Sequence, residues 1–218
     1  MYVAPHNREK RISIVHEAIG LIRFGTLVTV GPDGPIATHV PMFVDQLPEP
    51  RGTIYGHIAR ANDQWEKTNA NIPALATFVG PQAYISPSFY ETKRLTGKVV
   101  PTWQYLAVQA RGSISFFHDR DRLHEIVRTS TRIQEANSEH PWAVEDAPLE
   151  YVDKMLNAIV GFRIEIADLE GAWKFSQNKN EADLHGVIEG LEDRGDMAVA
   201  SLVRDRGGAQ GPGGSLLP

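Results

Sequence analysis

Between Gly52 and Trp65 the chain reads GTIYGHIARANDQW, and this junction constrains its folding more than any other stretch. Thr53, Ile54 and Tyr55 read as an alternating strand, which continues through Gly56 and His57 to Arg60. Asn62 then opens a short helix predicted over 63–68, with an asparagine N-cap and an aspartate at its first position. Arg60 offers a planar fork of donors beside that helix start, and free backbone N–H groups add to it, which suits a phosphate. The same residues also make an ordinary β–α turn with a solvated arginine, and spacing alone leaves both readings open.

Around this junction the pattern predicts many short strands with helices at their periphery. Ile12, Val15, Ile19 and Ile22 give one apolar face to a helix over 8–23, capped by Asn7. Strands over 25–30 and 35–44 flank the turn Gly31-Pro32-Asp33-Gly34 as a hairpin. A strand over 73–79 is interrupted at Gly80-Pro81 and resumes over 82–86, and 87–98 reads as a loop. A long β segment over 99–117 is expected to break near Pro101 and at Gly112. Asp119 caps a helix reaching Ala136, and 137–148 reads as a loop. A helix over 149–157, a strand over 159–166 and an irregular or extended stretch over 169–178 follow, then helices over 180–193 and 196–203. These elements predict an α+β fold built on an antiparallel barrel. With no linker-like break, one domain is expected over 1–204, followed by a flexible Gly/Pro-rich tail over 205–218.

Composition narrows the function classes. The 218 residues are 42% apolar, which is ordinary for a soluble globule. The net charge of −5 is a poor start for wrapping nucleic acid, where affinity comes largely from neutralised phosphates. The absence of cysteine excludes disulfides, thiolate catalysis and cysteine-based metal sites. The first residues, MYVAPHNREKR, lack the apolar core of a signal peptide. No apolar run approaches the ~20 residues of a membrane span, so no membrane partner is expected and the cytoplasm fits.

No catalytic motif emerges. Gly97-Lys98 runs into Val99 rather than the hydroxyl a P-loop needs, and there is no Gly-x-Ser-x-Gly elbow or His-Glu-x-x-His helix. His39 and His57 sit on sequential strands but lack a third ligand, so they read as core or cofactor-contacting residues and no metal is expected. Tyr84, Phe89, Tyr90, Trp103 and Tyr105 could wall a planar heterocycle or simply form core or a dimer contact. Lys174, Gln177 and Asn178 follow Trp173 as either a ligand-reading loop or a surface turn.

Several segments together resemble the PaiB family, described as FMN-binding negative transcriptional regulators of bacteria. They are Ala37-Thr38-His39-Val40-Pro41, Gly56-His57-Ile58-Ala59 with Asn62 and Trp65, and Gly80-Pro81-Gln82-Ala83-Tyr84-Ile85-Ser86. Val100-Pro101-Thr102-Trp103 with Tyr105, Ile159-Val160-Gly161-Phe162, and Ser176-Gln177-Asn178 complete the set, in order from residue 1 to about 204. The resemblance implies an antiparallel split β-barrel that binds FMN, similar to pyridoxamine-phosphate oxidases, and a homodimer with flavin at the interface. It implies Arg60 for the phosphate, Asn62 as the cap behind it, and Thr38, His39, Val40 and Pro41 beside the flavin ring, with His57 and Ile58 on the next strand. Trp103, Gln109, Lys174, Gln177 and Asn178 would close the pocket, some from the partner subunit. Three positions depart from the family pattern: Asp63 brings a negative charge near the phosphate, Gln109 stands where histidine is common, and Lys179 replaces an arginine. Three functions follow as expectations. The first is a negative regulator acting on DNA or through a protein partner. The second is an FMN-dependent oxidoreductase, and the third a haem-handling protein with His39 or His57 as axial ligand.

Overall fold

The computed structural model describes residues 1–207. Its strands are β1 (Arg8–Glu9), β2 (Phe24–Gly31), β3 (Gly34–Asp45), β4 (Thr53–Ala59), β5 (Ala74–Ile85), β6 (Thr102–Phe117) and β7 (Ile159–Lys174). Its helices are α1 (Ile12–Ile22), α2 (Gln64–Lys67), α3 (Glu91–Thr96), α4 (Arg120–Glu135), α5 (Leu149–Leu156), α6 (Glu181–Glu192) and α7 (Met197–Arg206). The strands lie in the order β1–β7–β4–β3–β2–β5–β6, with a further β7–β6 pairing. This is the α+β, antiparallel barrel architecture expected from the sequence. The chain divides into two compact units, one of Ile19–Phe78 with Gln109–Leu169, the other of Met1–Ala18, Val79–Val108 and the described residues from Glu170.

In the first unit β2 and β3 form the expected hairpin, pairing Thr26 with His39 and closing at Gly31 opposite Gly34. β4 pairs with β3 through Met42 and Gly56, and with β7 through His57 and Gly161. Strand periodicity sends Leu27, Ile54, Ile58, Phe162 and Ile164 inward, all of them buried. On the outward side Phe43 and Tyr55 stack, packed against a cluster of Phe117 from the end of β6, Leu123 and Ile126 from α4, and Val152 and Leu156 from α5. Gly112 does not break β6. A Cβ there would lie 1.9 Å from the Glu165 carbonyl oxygen, so glycine allows two backbones to approach closely. Gly52, at φ +75, ends the Pro-containing loop before β4 in a conformation that glycine favours.

In the second unit Trp173, Phe175, Val187, Leu191 and Val203 are buried beneath α6 and α7. Arg8 and Glu9 pair with Ala172 and Gly171 rather than starting the first helix. Glu9 accepts bonds from the Arg11 backbone and guanidinium and from Arg206 Nη1, at 2.9 Å in the last case. Burial pushes the Glu9 carboxyl up, but bonds from Arg11 and Arg206 outweigh it and hold the pKa at about 2.

Other boundaries moved for physical reasons. β5 runs unbroken through Gly80-Pro81, because Pro81 lies beyond the 75–77 segment that pairs with β2 and removes no bond from that ladder. The expected loop over 87–98 contains a 3-10 turn and α3, which ends on Gly97 in the left-handed region. β7 continues to Lys174 through the stretch read as irregular. α2 is shorter than expected, with Asp63 rather than Asn62 at the N-cap position. α7 extends to Arg206, which is buried against Glu9, and residues 208–218 of the expected tail lie outside the described residues.

Candidate functional site

The turn between β4 and α2 is held by side chains. Asn62 Oδ1 accepts the Gln64 N–H at 3.0 Å, so Asn62 caps the turn although it precedes the N-cap position. Asn62 Nδ2 donates to Thr38 Oγ1 at 2.9 Å, and Thr38 donates on to Gln64 Oε1 at 2.5 Å. Gln64 is fully buried, and its Nε2 donates to Thr29 Oγ1 at 3.0 Å and the Ile36 carbonyl at 3.2 Å. Thr68 donates to the same Thr29 oxygen at 2.9 Å. One amide thus ties β2, β3 and α2 together, and sequence reasoning missed it. The available signal was Thr29, a hydroxyl facing inward from an apolar strand.

Arg60 is exposed, and its Nε and Nη2 donate to the Asn157 and Ile159 carbonyls at 2.6 and 3.2 Å. It therefore covers carbonyls just after α5 and at the start of β7, while among the described residues none bonds its Nη1 group. Asp63 pairs with Lys67 at 2.6 Å, so the carboxylate that departs from the family pattern has its own cation. Trp65 donates its indole N–H to the Arg60 carbonyl at 3.1 Å and packs edge-on against His118.

The remaining expected residues of this unit fall in two places. His39 is exposed on the outward face of β3, with Nδ1 2.8 Å from Thr26 Oγ1 and its ring stacked on Phe24. Pro41 lies on the same face, while Val40 and Ile58 point inward and are buried. Phe24 is 58% exposed, and Val28 and Ala37 extend this open apolar face. His57 instead lines a cavity with residues of α4, α5 and the segment between them, and burial pushes its imidazole pKa down. Gln109 is half-buried on β6.

In the second unit Trp103 is exposed and meets Tyr84 edge-on at 6.2 Å. Lys174 Nζ donates to Thr102 Oγ1 at 2.7 Å and lies 5.8 Å from the Tyr105 ring centre. Burial pushes the Lys174 pKa down. Gln177 is spent on its own turn: Oε1 accepts the Phe175 N–H at 2.8 Å and Nε2 donates to the Trp173 carbonyl. That turn carries Ser176 at φ +63, buried and bonded by Gln104, while Asn178 is exposed.

The first unit offers FMN a solvent-facing guanidinium edge on Arg60 for a phosphate, held by the Thr38–Asn62–Gln64 turn, and the exposed imidazole of His39 on the adjoining strand. Comparison with known proteins decides the family. Residues 1–168 match the model of the family described as "Putative FMN-binding domain".

The chain belongs to this FMN-binding family.

FMN is accordingly its cofactor. The chain is 35% identical to the protease synthase and sporulation protein PAI 2 of Bacillus subtilis, over 84% of this chain and 86% of that protein. The PaiB resemblance read from the ordered motifs therefore stands. A fungal relative, the uncharacterized protein AN0679 of Emericella nidulans, is 34% identical over 95% of this chain and 98% of its own length. Among solved structures, the conserved hypothetical protein Rv2991 of Mycobacterium tuberculosis superposes with a TM-score of 0.55 at 18% identity, covering 80% of this chain and 90% of that one. The flavocytochrome Anf3 of Azotobacter vinelandii gives 0.57 at 11% identity, covering 84% and 78%. At these identities the structural matches establish the split-barrel fold and nothing further. Among the described residues no helix is long and apolar enough to cross a membrane, and no cluster of side chains could hold a metal.

Proposed function

We propose that this protein is an FMN-dependent negative regulator of transcription, working in the cytoplasm as a homodimer with flavin at the subunit interface. The observation that carries the regulatory reading is the 35% identity to PAI 2, whose name ties it to protease synthesis and sporulation. Arg60 would hold the phosphate through its unclaimed Nη1 edge, and Asn62 and Thr38 would fix the turn that presents it. His39, Val40 and Pro41 would lie along the flavin ring and Gln109 would close the pocket, with others of the expected closing residues reaching it from the partner subunit. The open face of Phe24, Val28, Ala37 and Pro41 is the surface a second copy would cover.

The bound flavin would supply a group whose redox state and occupancy a regulator can report. The net charge of −5 favours action through a protein partner over direct wrapping of DNA. Transcript levels in a strain lacking the gene test the reading. Target transcripts should rise, fall again with the wild-type gene, and stay high with Arg60→Ala. Unchanged transcripts, together with rapid bleaching of the bound flavin by NADH in the purified protein, would make it an oxidoreductase instead.

A further inference from the structure

His57 faces away from the Gln64 network, into a cavity of about 200 Å³ within the first unit. Its walls are apolar: Val127 from α4, Val144 and Ala147 from the segment before α5, Val152 and Leu156 from α5. Trp142, Tyr151 and Met155 also line it and are 48%, 57% and 41% exposed. Among the described residues no group hydrogen-bonds the His57 imidazole. Burial also keeps that ring neutral near pH 7, so it has one donor and one acceptor nitrogen to offer.

We infer that this cavity binds a single-ring aromatic molecule carrying one hydroxyl or ring N–H, which His57 meets with a hydrogen bond. Size supports the ligand class. The space of about 200 Å³ has room for one six-membered ring, since an apolar cavity of about 150 Å³ accepts benzene. The imidazole supports the polar group, because a hydrogen-bonding group in an otherwise apolar wall selects ligands by the bond it makes. The exposed methionine and aromatic side chains of the lining give it the adaptability such a ligand needs. Apart from His57, none of the residues lining this space belongs to the flavin reading.

Calorimetric titration of the full, FMN-loaded protein with p-cresol and with toluene tests this. The expected result is one p-cresol per chain, toluene at least tenfold weaker, and no displacement of FMN. Ala147→Phe, which fills the cavity, should abolish p-cresol binding while leaving FMN bound. An NMR shift of the His57 ring nitrogens on adding p-cresol to the wild type tests the same contact without any variant. Absence of p-cresol binding at millimolar concentration would overturn the inference. Equal affinity for toluene would remove the role of His57, and stoichiometric competition with FMN would assign the cavity to the cofactor site.

Discussion

Two turns in this molecule look alike in sequence and differ in what they leave available. The turn from β4 into α2 carries Arg60, Asn62 and Gln64, and the end of β7 with the turn that follows carries Lys174, Gln177 and Asn178. Both place a cation and amides at a strand's end. In the first, the two side-chain amides are joined through the Thr38 hydroxyl, Gln64 also reaches Thr29, and the arginine keeps a solvent-facing edge. In the second, both ends of the Gln177 amide bond the preceding backbone, at the Phe175 N–H and the Trp173 carbonyl, and the lysine is drawn down onto Thr102. A polar cluster becomes a ligand site through the donors that folding leaves unclaimed, not through the number of donors present.

The largest effect should come from the support of the first turn. Gln64→Leu strips partners from Thr29, Thr38 and the Ile36 carbonyl inside the fold, and should cost about 2–4 kcal/mol in denaturant unfolding. A loss below ~1 kcal/mol would show that the network is not what holds the turn. Arg60→Ala comes next. FMN affinity should fall at least tenfold, about 1.4 kcal/mol or more, and an unchanged titration would remove the phosphate assignment. Gln177→Ala should reverse the pattern, lowering stability by about 1–2 kcal/mol while FMN affinity stays within about twofold. A large loss of FMN affinity in that variant would make Gln177 itself a flavin contact.

The smallest effect is a pH dependence in the second turn. Burial lowers the Lys174 pKa below its unfolded value of 10.5. Between those two values the unfolded chain binds the extra proton, so Lys174 makes stability rise with pH in that alkaline window. Lys174→Met should flatten this part of a stability–pH curve, and an unchanged slope would place the lysine in water.

How much of this was legible in the sequence depends on the kind of signal. Helix α4 and its start were readable because Asp119 caps the Arg122 N–H and the apolar residues recur at helical spacing. The β2–β3 hairpin was readable from its Gly-Pro-Asp-Gly turn. Helix α3 was not, because its residues, ETKRLT, carry no apolar stripe and lie within a proline-bounded segment. β1 was hidden because two polar residues adjoin a strongly periodic helix, and only pairing with β7 makes them a strand. At the site, Arg60, Asn62 and Thr38 were legible because strand ends and caps are local features. Gln64 and the self-bonded Gln177 were not, since which carbonyl an amide meets is set by tertiary contact.

The central claim is that this split barrel holds FMN on the donors of the first turn. The most direct test is the visible spectrum of the purified protein after FMN loading and desalting, for the wild type and for Arg60→Ala. The account predicts flavin bands near about 375 and 450 nm at one flavin per chain in the wild type, and their loss in the variant. Bands absent from the wild type, or retained equally by both proteins, would contradict it.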